Sequence, residues 1–421
     1  MNAQVMITKD SKQVSSILSG NEKFAVKFLK KMNKGSAVIT LPDGTTFTTG
    51  TEEGSFRKAD IKITDPRFFS KIKLYGDVGF GEAYVEGYWE TSNITNVISW
   101  AILNFDNVPG LSGSKANKLI WNTFKFVNRL SHLKNSNTKS GSKKNIAHHY
   151  DLSNDFYRLW LDSSMTYSSA YFDTQDKSLF EAQQIKYNKL AEKLQIADGD
   201  NILEIGCGWG GMAMYMASNF DVNVTGITIS KEQYTYAKER ITKGGLEDRV
   251  KILFEDYRNL QGKFDKIVSI EMLEAVGHKY YNSYFQKIHE LLTPQGLLAI
   301  QVITSPDSRY EDLKSSVDWI QKHIFPGSLL PSIAALNRSI NNTGDLNLMN
   351  LEEMGLHYSR TLKEWRENFN NKINEVRSLG FNDDFIRKWN YYLSYCEAAF
   401  KMRNINVVQM VYSKPNNYIL K

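Results

Sequence analysis

The chain has 421 residues, of which 42% are hydrophobic and 23% charged, and its formal net charge is +6. This length exceeds that of one typical domain, so two hydrophobic cores are expected. No segment approaches the roughly 20 uninterrupted apolar residues of a membrane span, and residues 1–13 lack the apolar stretch of a secretory signal. These features predict a cytoplasmic protein that is not integral to the membrane.

Cysteine and histidine usage argues against metal chemistry. Cys207 and Cys396 lie far apart in the sequence and form no CxxC pair, and the seven histidines include no HExxH arrangement. Such spacings would be needed to set cysteine or histidine ligands around a metal. We therefore expect neither a disulfide framework nor a metal site.

The N-terminal part of the chain, residues 1–133, is predicted to form a small α+β domain. Strand-like runs flank a turn signal at residues 42–44, and another strand is predicted at 61–63. Residues 134–145 are polar, with no hydrophobic period, and are predicted to form a flexible basic linker.

A basic segment precedes and includes this linker. No acidic residue occurs between Asp106 and Asp151, whereas eight lysines and arginines do, with aromatic residues such as Trp121 and Phe124 among them. This combination suits an anionic surface, either phospholipid headgroups or nucleic acid, and each basic residue near an anionic leaflet contributes about 1 kcal/mol. A solvated helix followed by a linker would have the same composition.

The C-terminal part, residues 146–421, alternates strand-like and helical runs, which indicates an α/β domain with a mostly parallel sheet. The predicted strands are 201–205, 222–227, 250–254, 264–270, 297–303 and 407–412. A long, mostly helical insertion at about 305–403 separates the last two. It is too large for a simple connection, so we interpret it as a cap over the strand ends, where open α/β sheets bind ligands.

The first of these strands runs into a glycine-rich turn with the pattern ExGxGxG, formed by Glu204, Gly206, Gly208 and Gly210. Glycines at alternate positions let a ligand approach the backbone closely. A dinucleotide site would show GxGxxG and a carboxylate after the next strand, which here ends without one. The loop therefore predicts an S-adenosylmethionine site in a Rossmann-like class I methyltransferase domain.

The residues around this loop resemble the cyclopropane-fatty-acyl-phospholipid synthase family, which includes the mycolic acid cyclopropane synthases. The resemblance spans about residues 146–415 and rests on segments 149–156, 165–172, 203–211, 226–230, 271–278, 324–332 and 357–358. Residues 75–89 also resemble the N-terminal domain of the longer members, which act on intact phospholipids.

The resemblance implies a one-carbon transfer from S-adenosylmethionine to the double bond of a phospholipid acyl chain, with cyclopropane as the favoured product. It assigns cofactor contacts to Tyr167, Ser168, Gly206, Gly208, Thr228, Ile229, Gln233, Asp256 and Tyr257. An alkene has no acidic proton, so its π electrons must attack the sulfonium methyl group and leave a carbocation. Such a site must be dry, and aromatic faces and carboxylates stabilise the cation.

Loss of a proton from the added methyl then closes the ring, and in the family a bound bicarbonate acts as the base. The resemblance places Glu274, the amide of Ile303 and Tyr358 around this anion. The family's cysteine is Ser169 here, and its histidine is Gln301. Since glutamine carries no positive charge, a weaker anion site and a methyl-branched or methylene product remain alternatives. Cys396 matches a further cysteine and is interpreted as a packed thiol near the site.

The implied partners are a membrane phospholipid as substrate and an anionic membrane surface, rather than nucleic acid. The protein would then be peripheral on the inner face of the membrane, and the longer members suggest a homodimer. Two other functions stay open: a small-molecule N-methyltransferase, because some share this C-terminal architecture, and a lipid-binding protein that has lost catalysis, because of Ser169 and Gln301.

Overall fold

The computed structural model of the protein describes residues 26–27, 29–51, 58–104, 141 and 152–418. The chain divides into two compact units. The first consists of residues 1–131, 315–324 and 377–404, and the second of 132–314, 325–376 and 405–421. The predicted linker, apart from Gly141, and most of the basic segment lie outside the described residues.

The first unit contains a four-stranded sheet in the order β2-β1-β3-β4. Its strands are β1 (Ser36–Thr40), β2 (Thr46–Gly50), β3 (Ala59–Ile63) and β4 (Trp89–Glu90). Helices are numbered along the whole chain, and those of this unit are α1 (Arg67–Val85), α2 (Ile94–Leu103), α9 (Trp319–His323) and α13 (Asp383–Lys401). Helix α1 is kinked at Gly76, whose φ is 60°. The predicted α+β character is therefore confirmed.

Helices α9 and α13 belong to the insertion that the sequence analysis interpreted as a cap on the C-terminal domain, but the structure places both helices in the first unit. Helix α13 is amphipathic, and its buried side chains include Trp389 and Tyr391. The hydroxyl of Thr95 on α2 donates to the buried carboxylate of Glu397 at 3.0 Å, and Arg387 donates to the carbonyl of Tyr84 at 2.6 Å. These polar contacts and the apolar face of α13 complete the core of the first unit.

The second unit contains a seven-stranded sheet in the order β10-β11-β9-β8-β5-β6-β7. Its strands are β5 (Asn201–Ile205), β6 (Asn223–Thr228), β7 (Val250–Phe254), β8 (Phe264–Ile270), β9 (Leu292–Thr304), β10 (Asn347–Glu353) and β11 (Asn406–Ser413). Strands β5 to β9 pair in parallel, and β11 is antiparallel to β9 and β10. The predicted Rossmann-like fold is confirmed.

The helices of the second unit connect and cover these strands. They are α3 (Asn154–Arg158), α4 (Leu179–Lys193), α5 (Gly211–Asn219), α6 (Lys231–Lys243), α7 (Tyr281–Leu291), α10 (Ile333–Thr343) and α11 (Gly355–Asn371). Helices α8 (Asp307–Ser315) and α12 (Ile373–Ser378) cross the sequence boundaries between the units. Among the residues described, no helix is both long and apolar enough to cross a membrane.

The insertion predicted as mostly helical also contains β10, which the sequence analysis missed. Its burial pattern is almost entirely exposed, so it lacks the alternation that marks a half-buried strand. Pairing with β11 supplies the hydrogen bonds that local pattern does not predict.

The strand order places a crevice between β5 and β8. The chain passes from β5 to β6 on one side and later returns to β8 on the other, so connections leave the two central strands in opposite directions. Ligands bind at such a point, beyond the carboxyl ends of the strands. The ExGxGxG turn follows β5 and residues 271–275 follow β8, so both predicted site segments meet at this crevice.

Candidate active site

The glycine-rich turn after β5 has a backbone that only glycine adopts readily. Gly206, Gly208 and Gly210 have φ values of 83°, 54° and 85°. A Cβ atom at Gly206 would lie 2.9 Å from Met272, whereas one at Gly208 would meet no atom within 4 Å. Gly208 therefore faces open space at the crevice, as a surface that a small molecule approaches closely requires.

Glu204 is the last charged residue of β5 and is almost completely buried. Burial raises the pKa of its carboxyl group to about 8, although the charge of Lys186 and the backbone amide of Ala213 oppose this shift. One of its oxygens, Oε2, has no hydrogen-bond partner. A buried acceptor without a partner, close to the glycine-rich turn, is suited to a donor group of a ligand.

After β6, a second set of predicted cofactor residues forms a hydrogen-bonded group at the start of helix α6. The hydroxyl of Thr228 donates to Oε1 of Gln233 at 2.8 Å, and Ser230 caps helix α6 by accepting from the Gln233 amide. Thr228 and Gln233 are buried, and Ile229 between them and the helix is half-buried. The hydroxyl of Thr228 thus fixes the Gln233 side chain with its NH₂ group as the remaining donor.

Asp256 and Tyr257 follow β7. The guanidinium of Arg258 holds both Asp256 oxygens, with Nε 2.8 Å from Oδ1 and Nη2 2.5 Å from Oδ2. Such a bidentate pair fixes the carboxylate in one orientation. Burial raises the pKa of Tyr257 to about 12, and its ring makes an edge contact with Tyr284. The predicted cofactor role of both residues remains a prediction.

Aromatic rings surround Tyr167. Its ring centroid lies 5.3 Å from those of Trp160 and Trp365 and 5.6 Å from that of Tyr157, and Tyr358 packs edge-on against Trp365. We call these five residues the aromatic cluster. Tyr157, Trp160 and Trp365 are fully buried, Tyr358 is buried and Tyr167 is half-buried, and aromatic π faces can stabilise a positive charge.

Ser168, next in the chain, is held by a buried lysine that the sequence analysis did not identify. Nζ of Lys186 donates to the Ser168 hydroxyl at 2.9 Å, and this lysine is fully buried. Desolvation lowers its pKa to about 8, although the charges of Glu271, Asp162 and Glu204 act in the opposite direction. The sequence could have indicated a buried lysine here, because Lys186 lies on the buried face of α4 together with Gln183 and Tyr187.

A carboxylate that the sequence analysis also missed occupies the centre of the site. Oε1 of Glu271 accepts hydrogen bonds from the backbone amide of Ser169 and from Nε2 of Gln301, both at 2.8 Å. The hydroxyl of Tyr358 also hydrogen-bonds this carboxyl group. The sequence could have indicated Glu271, because it follows the carboxyl end of a predicted central strand and lies three positions before Glu274.

The backbone of Glu271 is strained. Its φ is 50°, a conformation that costs a side-chain-bearing residue about 1–3 kcal/mol and that clusters at functional sites. The amide of Glu271 donates to the carbonyl of Gln301 at 2.7 Å, which holds the turn in place.

Gln301 is part of a chain of hydrogen bonds whose direction is fixed. Nζ of Lys193 donates to Oε1 of Gln409 at 2.5 Å, and Nε2 of Gln409 donates to Oε1 of Gln301 at 3.0 Å. Because an ammonium group can only donate, each amide must turn its NH₂ group toward Glu271. Gln301 and Gln409 are fully buried, so we call Lys193, Gln409 and Gln301 the donor relay.

Glu274 lies one turn beyond Glu271. Its Oε1 accepts from the amide of Ile303 at 2.6 Å, and its Oε2 has no partner. Burial, followed by the negative charge of Glu271, raises the pKa of Glu274 to about 8. Two close carboxyl groups cannot both ionise easily, and Glu271 has more donors. Desolvation also raises the pKa of Glu271, but the hydrogen bonds from Gln301, Ser169 and Tyr358 and the charge of Lys186 lower it. Glu274 is therefore the carboxyl group that retains its proton more readily.

The second unit thus brings together Ser169, Glu274, Gln301, Ile303 and Tyr358, and their predicted roles remain predictions. The hydroxyl of Ser169 donates to the neighbouring carbonyl of Ala170, so only its backbone amide faces the carboxylate. Cys396 lies on α13 of the first unit, and burial raises the pKa of its thiol. Its expected place near the site therefore remains a prediction.

Comparison with known proteins shows the family of this chain. The sequence model of the family described as mycolic acid cyclopropane synthetase matches residues 137–410. The cyclopropane-fatty-acyl-phospholipid synthase of Escherichia coli (strain K12) is 38% identical over 359 residues, which cover 85% of this chain and 88% of the relative. The tuberculostearic acid methyltransferase UfaA1 of Mycobacterium tuberculosis (strain ATCC 25618 / H37Rv) is 33% identical over 383 residues, covering 88% and 87%.

A solved structure extends the similarity to three dimensions. The crystal structure of the mycolic acid cyclopropane synthase CmaA1 complexed with SAH and CTAB superposes with a TM-score of 0.60 at 30% identity. It covers 65% of this chain and 98% of that protein. The chain therefore belongs to the mycolic acid cyclopropane synthetase family and is an S-adenosylmethionine-dependent methyltransferase.

Proposed function

We propose that the protein transfers a one-carbon unit from S-adenosylmethionine to the double bond of an unsaturated acyl chain in a membrane phospholipid, forming a cyclopropane ring. One observation carries the choice of substrate. The similarity to the E. coli phospholipid synthase extends over 359 residues, more than the stretch from 137 to the end of the chain can contain. It therefore includes residues before 137, which the 65% match to CmaA1 need not include.

The residues at the crevice fit the methyl donor. Gly208 leaves open space above the backbone, Oε2 of Glu204 is an unpartnered acceptor, and the amide of Gln233 is a donor. We propose that the glycine turn holds the amino acid part of the donor. Gln233 and Asp256, at the ends of the next two strands, would hold its ribose and base. When bound, the donor supplies an electrophilic methyl group on a sulfonium.

The surroundings suit a reaction that passes through a carbocation. The alkene has no proton to lose before methyl transfer, so the protein must stabilise positive charge on the substrate rather than activate a nucleophile. The aromatic cluster offers π faces, and Glu271 offers a half-buried carboxyl group. Both would act strongly because little water competes with them.

The bicarbonate that the resemblance implies does not fit beside these residues. Its expected donors already have acceptors: the amide of Ile303 donates to Glu274, and Gln301 and Tyr358 bind Glu271. An added anion would also meet the carboxyl groups of Glu271 and Glu274, and the nearby cation, Lys186, already acts on Glu271 and donates to Ser168. Bicarbonate is therefore not part of the proposed mechanism.

A methyl-branched chain is the second candidate product, because the M. tuberculosis relative is a tuberculostearic acid methyltransferase. Trideuteriomethyl-labelled S-adenosylmethionine distinguishes the products when the purified protein is incubated with vesicles of unsaturated phospholipid. A ring retains two deuterium atoms of the methyl group. A saturated methyl branch retains three if a reductant delivers hydride to the carbocation and two if a methylene group is reduced, and in both cases it carries two more hydrogen or deuterium atoms than the ring. A methylene group also retains two, but it takes up hydrogen over a mild catalyst that leaves a ring intact.

Mass spectrometry of the released fatty acids gives the result. We expect two retained deuterium atoms, the mass of a ring rather than of a saturated branched chain, and a product that resists hydrogenation. Absence of label from lipid would overturn the proposed function, and label in an added amine instead would favour the N-methyltransferase alternative.

We further propose that the protein is peripheral on the inner face of the membrane and acts as a homodimer. The basic segment that motivates membrane binding, residues 107–150, lies almost wholly outside the described residues. Vesicle sedimentation should show binding to anionic vesicles that weakens with salt, because exposed charges are screened, and little binding to neutral vesicles. Binding that ignores both variables would exclude this role. Sedimentation velocity measures the oligomeric state.

A further inference from the structure

The carboxylate of Glu271 has an arrangement that the family resemblance does not account for. It is bound by the amide of Ser169, Nε2 of Gln301 and the hydroxyl of Tyr358. These are three of the positions to which the resemblance assigned the bound bicarbonate. A carboxylate of the chain therefore occupies the groups expected to hold an external one.

We propose that Glu271 is the built-in base of this enzyme and removes the proton that closes the ring. This inference rests on the proposed function. Like bicarbonate, the side chain offers a planar oxyanion, but it is tethered to the end of β8 and always present.

The proposed step conserves charge and atoms. The alkene π pair forms a bond to the methyl carbon as the carbon–sulfur bond breaks, and the sulfonium charge passes to the substrate carbon. A Glu271 oxygen then takes a proton from the new methyl group, and the released C–H pair forms the second bond of the ring. Glu271 ends as a neutral acid and returns its proton to solvent before the next turnover.

Desolvation raises the pKa of Glu271, and two features oppose this rise and so favour the ionised form that a base requires. The donor relay directs the NH₂ group of Gln301 at its carboxylate, and the ammonium of Lys193 polarises that relay from its far end. Glu274 beside it retains a proton, because it has only the Ile303 amide as a donor to Oε1 and no partner at Oε2. Lys193, Gln409 and Gln301 are thus positioning residues, not bases.

The strain at Glu271 supports the same inference. A side chain on a backbone with φ of 50° is disfavoured, so the turn is maintained by surrounding contacts, here the bond from its amide to the Gln301 carbonyl. The same backbone contact therefore fixes both the base and the residue that binds it.

The experiment compares turnover with and without bicarbonate. Wild-type protein, E271Q and E271A are assayed with phospholipid vesicles in buffers stripped of carbon dioxide and in buffers containing bicarbonate. E290Q is the matched control, since Glu290 is exposed on α7. Binding of S-adenosylhomocysteine, measured by calorimetry, reports whether each variant folds.

We expect the wild-type enzyme and E290Q to turn over equally in both buffers. E271Q should lose at least about 100-fold in kcat, the contribution typical of a general base, while its affinity for S-adenosylhomocysteine changes little. E271A should be slow without bicarbonate and recover part of its rate with it, because the anion can enter the space that the side chain leaves. A glutamine at 271 fills that space, so E271Q should not recover.

Bicarbonate dependence of the wild-type enzyme, or E271Q turnover close to wild type, would overturn the inference. If E271Q and E271A fail to bind S-adenosylhomocysteine, the bicarbonate response of the wild-type enzyme alone decides. Failure of the proposed function is a separate result, since wild-type protein would then label no lipid in either buffer.

Discussion

Replacement of Gln301 by methionine tests the donor relay through stability. The two side chains have similar length and shape, so Q301M removes the amide with little change in packing. Gln409 then has a buried NH₂ group without its acceptor, and Glu271 loses one of its donors. An orphaned buried donor costs about 1–3 kcal/mol, and a lost hydrogen bond to a charge about 1.5–3 kcal/mol.

Urea unfolding should therefore show that Q301M lowers the free energy of unfolding by about 3 kcal/mol. Q409M leaves the Oε1 of Gln301 and the Nζ of Lys193 without this partner, and should cost about as much. The double variant Q301M/Q409M should cost clearly less than the sum of the two, because replacing both members of a pair with apolar groups leaves neither orphaned. Strict additivity, or a loss below about 0.5 kcal/mol for Q301M, would refute the relay.

Further predictions concern the cofactor loop and the protonated carboxyl group. G208A should weaken binding of S-adenosylhomocysteine more than about 10-fold, because its Cβ enters the open space. G199A is the control, since Gly199 has a φ of 87° and equally open surroundings, and it should cost similar stability but leave binding unchanged. Equal effects of the two variants on binding would contradict the assignment. T228V should weaken the same binding by freeing Gln233 to rotate, as calorimetry would show. The pKa of Glu274 is raised from 4.5 to about 8 in the folded protein. Between pH 4.5 and about pH 8 the folded state therefore binds more protons than the unfolded state, so the stability that this group contributes is lost as the pH rises through that range. E274Q cannot ionise and should have a flatter stability profile from pH 5 to 8 in unfolding experiments; a profile as steep as that of the wild type would exclude this origin.

The sequence by itself determined the features that depend on neighbours along the chain. The strands β5 to β9 are apolar runs separated by helical periodicity, and the alternate glycines from Gly206 to Gly210 need positive φ whatever surrounds them. These local signals were enough to predict the Rossmann-like fold and the methyl donor. The resemblance then supplied Ser169, Gln301 and Tyr358 as residues that meet at one site.

Only the tertiary structure decided what those residues bind. Glu271 and Gln301 are 30 positions apart and meet because β8 and β9 are adjacent parallel strands, with Ile270 paired to Gln301. The exposed strand β10 and the packing of α13 in the first unit likewise depend on partners distant in sequence. Hydrogen-bond direction, burial and the raised pKa values of the two carboxyl groups arise from contacts across the fold, and no local pattern encodes them.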